Sequence, residues 1–178
     1  LRYALSDLRR AIDDRDATPP FLLITRETIQ FNTLSDQWVD AAALRRLFSQ
    51  QDVPALQSGV ALYTGAFMEG FSVAGAAPFE EWAVLVREQL SRSLLQALGY
   101  LADHFEAQGN YEQAQRYSQQ AVEHAPWQEE AHQQLMRVLT LGGNRTAALA
   151  QFEKCRRLLA AELDVTPVRD TVLLYEAI

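Results

Sequence analysis

The sequence contains one cysteine and three histidines, so side chains that bind transition metals are scarce. Cys155 has no partner for an internal disulfide, and nothing in the cysteine content indicates an oxidising compartment. No pair among Cys155, His104, His124 and His132 has the His-x-x-x-His or Cys-x-x-Cys spacing of a metal site. We therefore expect no metal and no other cofactor, and we expect the Cys155 thiol to be a buried packing group.

Long apolar runs and a positive charge balance are also missing. No apolar run approaches the roughly 20 residues of a membrane-spanning helix, and no signal-peptide pattern opens the chain, which predicts a cytoplasmic protein with no membrane partner. The net charge is −7, so any DNA contact requires a local basic patch. Because the chain begins Leu1-Arg2-Tyr3 without a methionine, we interpret it as a fragment of a longer protein.

Signatures of catalysis are missing as well. The sequence has no phosphate-binding glycine loop and no Gly-x-Ser-x-Gly nucleophile motif. Glu80 and Glu81 are adjacent, and adjacent helical side chains point about 100° apart, so the two carboxylates do not converge on one substrate. We expect them at a helix start, where negative charge interacts favourably with the helix dipole. The sequence thus predicts that the protein is not an enzyme.

The chain does contain an internal repeat. Gly109-Asn110 returns as Gly143-Asn144, 34 residues later, and apolar residues of matching size recur at the same offset. Glycine suits a helix C-terminus, because a left-handed backbone is least costly without a Cβ atom. Small residues recur where two helices would cross closely. The residues that we assign to repeat packing are Leu101, Ala102, Phe105, Gly109, Ala114, Ala121, Leu135, Leu139, Gly143, Ala148 and Cys155.

The order and spacing of these residues resemble the tetratricopeptide repeat, in which pairs of helices stack. The second unit departs from that pattern, because Arg145 replaces an aromatic residue and Ala160 replaces a proline. We therefore expect its last helix to continue to about Leu163. Thr166-Pro167 then has the pattern of an N-cap and a first helical residue. This predicts a final helix to Ile178 that covers the open end of the stack.

The segment before the repeat is also predicted to be largely helical. Asp40 and Asp52 are predicted N-caps of two shorter helices that look like a degenerate repeat unit. Residues 63–71 contain two glycines and three aromatic residues, which is typical of a loop whose rings pack against helices. A long helix is predicted from Phe79 onward. Its apolar residues follow one stripe, at steps of three or four along most of its length: Trp82, Leu85, Val86, Leu90, Leu94, Leu98 and Leu101.

The first forty residues predict a helix followed by a hairpin. Leu1, Leu5, Leu8 and Ile12 share one helical face, with arginines beside it. Residues 21–25 and 28–32 are β-favouring runs around Arg26-Glu27. A helix with arginines followed by a hairpin is typical of the second half of a winged helix, whose helix enters the major groove of DNA. The alternative from these residues alone is a solvated helix face. The predicted fold is mainly α, a tetratricopeptide-like right-handed helical repeat after a short helix and β-hairpin.

The ordered motifs of nearly the whole chain resemble the bacterial transcriptional activator domain of antibiotic-pathway-type regulators. These motifs are, in order, Leu1-Arg2-x-x-Leu5-Ser6-x-Leu8-Arg9-Arg10, the hairpin, Leu62-Tyr63-x-Gly65-x-Phe67-x-x-Gly70-Phe71, Phe79-Glu80-Glu81-Trp82, Arg87-Glu88, the repeats, and Glu162-Leu163-x-Val165-x-Pro167.

This resemblance implies two domains. Residues 1–36 would be the C-terminal part of a response-regulator-type winged helix, and residues 37–178 the helical-repeat activator domain. The complete winged helix would bind DNA, and the repeats would bind protein partners, including a second copy in a homodimer. By the same resemblance, the DNA-binding residues are Arg2, Ser6, Arg9, Arg10 and Arg26.

Stacked helix pairs form a concave surface, where we expect a protein partner to bind. The candidates to line it are first-helix residues: Gln108, His132, Gln133 and Arg137. Two alternatives stay open. The stack is a rigid spacer without a ligand, or the chain is a pure interaction module of a signalling protein that has no contact with DNA.

Overall fold

The computed structural model of the protein describes residues 2–178, with side chains from Tyr3 onward. The chain forms two compact units, Leu1–Ala42 and Ala43–Ile178. The described residues are mainly helical and include a two-stranded sheet, so the predicted fold class is confirmed. The domain boundary predicted between residues 36 and 37 stays a prediction.

The first unit contains a helix and a hairpin. Helix α1 (Arg2–Ala11) is followed by strands β1 (Leu22–Ile24) and β2 (Ile29–Phe31), which pair antiparallel. The predicted hairpin is therefore confirmed, with Arg26-Glu27 at its tip. Most side chains of the two strands are exposed within this chain.

Asp14 joins α1 to β1 within this unit. It is buried and accepts hydrogen bonds from Arg9 Nε at 2.7 Å and from the Leu22 main-chain N–H at 2.7 Å. Burial alone would raise the pKa of the Asp14 carboxyl, but the bonds from Arg9 and Leu22 outweigh it, so the pKa lies below its usual value. The ionised carboxylate thus fixes the end of α1 to the start of the hairpin.

The second unit is a stack of helices. In chain order these are α2 (Asp40–Ser49), which starts at the end of the first unit, α3 (Val53–Leu62), α4 (Ala77–Ala107), α5 (Tyr111–His124), α6 (Glu129–Leu141), α7 (Arg145–Glu162) and α8 (Arg169–Ala177). Each helix from α3 to α7 packs against the next one, and α8 packs against α6 and α7. Neighbour-to-neighbour packing of this kind is what a repeat stack requires.

The two turns that lie 34 residues apart have the same geometry. Gly109 and Gly143 have φ angles of +72° and +81°, in the left-handed region that favours glycine. The N–H groups of Asn110 and Asn144 each donate to the carbonyl five residues earlier, at 2.9 and 2.8 Å, as in a Schellman C-cap. Each asparagine side chain also accepts the N–H three residues later, at 3.2 Å, and so caps the next helix.

Equivalent positions of the two units lie at equivalent depths in the core. Leu101 and Leu135 are 0% and 1% exposed, and Ala114 and Ala148 are both 0% exposed. Because alanine has no atoms beyond Cβ, α5 can approach α4 and α6 closely at Ala114. The other apolar residues assigned to packing are buried or, for Phe105, half-buried: Ala102, Phe105, Ala121, Leu139 and Cys155.

Helix α3 begins after its predicted N-cap, whereas α2 begins one residue early, at its predicted N-cap. The Asp52 carboxylate accepts the Ala55 N–H at 2.8 Å and caps α3. Asp40 is the first residue of α2. A Cβ atom at Gly59 of α3 would lie 2.6 Å from the Phe48 ring of α2, so this glycine allows the two helices to pack closely.

The buried face of α4 is shorter than the predicted apolar stripe. The stripe is buried from Val86 to Leu101, but Trp82 and Leu85 are 47% and 65% exposed. The stripe itself did not predict this difference, because helical spacing shows which side chains share a face but not how far a neighbouring helix extends along it. The first turns of α4 instead contact the preceding loop.

That loop packs its rings on α4, as the sequence predicts. Phe67 lies edge-to-face on Trp82 with centroids 5.5 Å apart, and Phe71 lies on Phe79 at 5.8 Å. Glu80 lies in the first turn of α4, as expected, and its carboxylate accepts the main-chain N–H of Val73 at 2.7 Å. Its hydrogen bond therefore anchors the loop rather than capping the helix.

The final two helices end and begin at specific contacts. Helix α7 continues to Glu162, close to the predicted Leu163. The final helix starts at Arg169, two residues beyond the predicted Pro167, with Val168 at its N-cap position. The Thr166 N-cap prediction was wrong, because the Glu129 carboxylate of α6 accepts the Val168 N–H at 2.9 Å and makes a local side-chain cap unnecessary.

Candidate functional site

The second unit carries a cleft between α4 and α6, the first helices of the two repeat units. Its volume is about 460 Å³. The α4–α6 cleft, as we call it, is lined by Arg92, Leu95, Gln96, Gly99 and Asp103 of α4, Ala121 of α5, and Gln128, Glu130, Ala131, Gln133, Gln134 and Arg137 of α6 and the residue before it. At one end it continues into a depression beside Trp127, whose side chain is well exposed.

Polar bonds across the cleft hold α4 and α6 together. Gln134 Nε2 donates to the Gly99 carbonyl at 3.0 Å and to Asp103 Oδ1 at 2.9 Å. Arg137 donates to Asp103 at 2.7 Å and to both Glu106 carboxylate oxygens at 2.9 and 3.0 Å. A guanidinium bonded to two carboxylates has a fixed direction. These bonds therefore link α4 and α6 across the cleft.

The four residues predicted to line a partner groove lie in different environments. Gln133 and Arg137 line the cleft, although Gln133 Nε2 also donates to Thr171 Oγ1 of α8 at 2.7 Å. Gln108 is exposed beyond the end of α4, where it pairs with His104. His132 is only 2% exposed, so it cannot touch a partner in this conformation. The prediction that His132 lines the groove was therefore wrong, because its side chain faces α7 rather than the cleft.

Sequence reasoning missed the α4 side of the cleft. Arg92, Gln96 and Asp103 lie four and seven residues apart on one face of α4, so a signal was present. The apolar stripe on the buried face of α4 is the stronger pattern, and this polar row of the same helix was not predicted to line a site.

His132 belongs to a buried polar network of the second repeat unit. Its Nε2 lies 2.9 Å from the Pro126 carbonyl, and its Nδ1 lies 2.7 Å from Gln151 Nε2 of α7. Burial lowers the pKa of His132 below its usual value, and this effect outweighs the opposing influence of the Pro126 carbonyl and Glu129. Nε2 thus donates to the carbonyl and Nδ1 accepts from the amide of Gln151.

We expect this histidine to make the domain less stable in mild acid. The pKa of His132 is depressed in the folded state. The contribution of this residue to the free energy of unfolding is therefore complete above about pH 6.5 and is lost as the pH falls towards the folded-state pKa. Urea unfolding at about pH 7 and about pH 5 measures the loss. In His132→Gln the difference between the two pH values should shrink. An unchanged difference would show that this residue does not contribute to the acid sensitivity.

Other groups with reactive side chains are held in packing contacts. Burial raises the pKa of the Cys155 thiol to about 11, so the thiol stays protonated. His124 Nε2 lies 2.7 Å from Ser91 Oγ, but no carboxylate among residues 3–178 bonds to this histidine.

Within the same residues, no cluster of three or more potential ligands could hold a metal ion. None of the helices in the described chain is long and apolar enough to cross a bilayer.

The residues implied as DNA contacts lie in the first unit. Arg9 is bonded to the buried Asp14, whereas Arg10 pairs with Asp7 at 2.8 Å on the surface. Arg15 donates to Ser6 Oγ at 3.2 Å. Arg26 is exposed at the hairpin tip and has no ion pair among the described residues. The side chain of Arg2 lies outside the described residues.

Comparison with known proteins gives one result for most of the chain. No curated protein matches the sequence. The model of the family described as the bacterial transcriptional activator domain matches residues 31–178, from the end of the hairpin through α8. This is a regulatory family rather than a family of enzymes. Since the match covers well over half of the chain, the protein belongs to the bacterial transcriptional activator domain family.

Proposed function

We propose that the chain acts in a DNA-binding transcription regulator and that its repeats bind a protein of the transcription machinery through the α4–α6 cleft. The observation that carries this proposal is the open polar cleft between the first helices of the two units. Membership of a family of transcriptional regulators supports the identity of the partner. Because the bonds from Gln134 and Arg137 already link α4 and α6, the cleft loses little conformational entropy when a partner binds.

Site-specific photo-cross-linking in bacterial cells tests the partner contact. A photoreactive phenylalanine analogue would replace Gln96 in the cleft or, as a control, the exposed Arg157 on α7. We expect an adduct with a subunit of RNA polymerase from position 96 and none from position 157. The same adducts from both positions, or none from position 96, would contradict the proposal.

We further propose that α1 and the hairpin form the C-terminal part of a winged helix, with Arg10 and Arg26 as phosphate or base contacts. Both are exposed, and arginine binds phosphates and guanine edges well. Arg9 would act as a positioning residue, because its Nε holds Asp14. The 178-residue chain itself should bind DNA weakly, since it is acidic and carries only part of that module.

Salt-dependent DNA binding tests this second part. In a protein extended to a complete winged helix, Arg10→Ala and Arg26→Ala should each flatten the log–log salt dependence by about 0.9 for every phosphate that the arginine had neutralised. Arg157→Ala, far along the chain on α7, is the matched control. Unchanged slopes for Arg10→Ala and Arg26→Ala would favour the alternative, an interaction module without DNA contact.

A further inference from the structure

Gly99 lies in the middle of α4, where glycine destabilises a helix relative to alanine. Packing does not explain it, because a Cβ atom built at Gly99 meets nothing within 4 Å. Gly59 differs in this respect, because the Phe48 ring occupies the space that a Cβ atom at Gly59 would need. The missing Cβ of Gly99 leaves open space at the wall of the α4–α6 cleft. A bare helix backbone at such a place allows another backbone to approach closely.

The rest of the cleft indicates what could pass over that glycine. Gln96 and Gln128 line it, and neither forms a side-chain hydrogen bond among the described residues. A side-chain amide offers both donors and an acceptor, as a main-chain amide does. An extended peptide has unpaired main-chain groups for such amides, whereas the main-chain groups of a helix are paired internally.

The charges of the cleft select the side chains of that peptide. The cleft and its continuation beside Trp127 are lined by four carboxylates and two guanidiniums. Arg137 and Asp103 are bonded to each other, which removes one charge of each sign and leaves three carboxylates and one guanidinium. The remaining field favours a cation. Trp127 is 60% exposed at the end of the cleft and offers an indole face to a lysine or arginine.

We infer that the α4–α6 cleft binds an extended, cationic segment of the partner protein, whose backbone runs along α4 and lies closest to it at Gly99. This inference rests on the proposed function of the cleft and adds the conformation and charge of the ligand. From Glu88 to Asp103, α4 spans about 22 Å at 1.5 Å per residue. That length accommodates roughly seven residues of extended chain.

Fluorescence anisotropy with defined peptides tests the inference on the 178-residue chain. The probe is a labelled peptide of roughly seven residues that alternates lysine and leucine around a central proline, which prevents a helix. One comparison peptide replaces each lysine with glutamate, and another is a stapled helix of the same charge. We expect the cationic extended peptide to bind more tightly than the other two. Preference for the acidic or the helical peptide would overturn the inference.

Gly99→Ala separates a functional glycine from a structural one. The substitution should raise Tm by about 2–4 °C, because alanine favours the helix. It should also weaken binding of the cationic peptide about tenfold, because the methyl group blocks the approach of the backbone. The net charge is unchanged, so weaker binding would not reflect non-specific attraction to an acidic protein.

The control is Ser58→Ala in α3, outside the cleft, where alanine also favours the helix. It should leave peptide affinity unchanged. Wild-type affinity in Gly99→Ala would overturn the inference, as would failure of all three peptides to bind. Either result would leave the proposed function standing if cross-linking from position 96 still yields the polymerase adduct. If position 96 yields no polymerase adduct, the proposed function itself is contradicted.

Discussion

Leu101→Ala should lower the free energy of unfolding by about 2–5 kcal/mol. Leu101 is fully buried in the main hydrophobic cluster, with Leu98 and Leu135 among the other members. Removal of its side chain takes away apolar packing and leaves a cavity, because close-packed helices relax only partly. Urea or thermal denaturation of the 178-residue chain measures the change.

Leu85→Ala is the matched control for this substitution. Leu85 lies on the same helix and on the same predicted stripe, but it is 65% exposed. The change should alter the free energy of unfolding by no more than about 0.5 kcal/mol. If both variants were destabilised equally, the helix packing described for α4 would be incorrect.

Ala114→Leu should lower the free energy of unfolding by about 1–3 kcal/mol. Ala114 has no exposed surface, and α5 is packed between α4 and α6. A leucine there would force neighbouring side chains out of preferred rotamers or push the helices apart. Denaturant unfolding, with circular dichroism to verify helix content, measures the effect.

Ala150→Leu on the exposed face of α7 provides the comparison. Alanine and leucine have similar helix propensities, so this variant should be close to wild type. A neutral effect of Ala114→Leu would mean that the assigned repeat register is wrong.

Much of the repeat could be predicted from the sequence because its signals are local. The Gly-Asn pairs lie 34 residues apart, and each pair ends one helix and starts the next through bonds within a few residues. The buried alanines follow from the same offset. Asp52 caps α3 through its own neighbours, and the hairpin follows from two short β-favouring runs.

Features that depend on distant residues were not predictable in the same way. The N-terminus of α8 is set by Glu129, a residue of α6, so local N-cap patterns placed its start two residues early. Trp82 and Leu85 continue the apolar stripe of α4 but extend beyond the helices that cover it. Helical periodicity gives the direction of a side chain, while burial depends on which neighbour is present.

In the candidate site, too, features set by nearby residues were predictable and features set by distant residues were not. Arg137 and Gln133 were predicted to line a groove and do lie in the cleft. His132, from the same helix, is buried and bonds to Gln151 of α7, which lies 19 residues away in the sequence. Gly99 carries no sequence signal of function, because a helical glycine becomes informative only when the space around its missing Cβ is known.

Transcription and promoter occupancy, measured together for a regulator that carries a cleft variant, test whether the α4–α6 cleft binds the transcription machinery. Glu130→Arg reverses a charge in the cleft, and Glu176→Arg reverses an exposed charge on α8 as the control. We predict that Glu130→Arg keeps wild-type promoter occupancy but reduces reporter transcription to near the level without the regulator, while Glu176→Arg changes neither. Wild-type transcription from the folded, promoter-bound Glu130→Arg regulator would contradict the account.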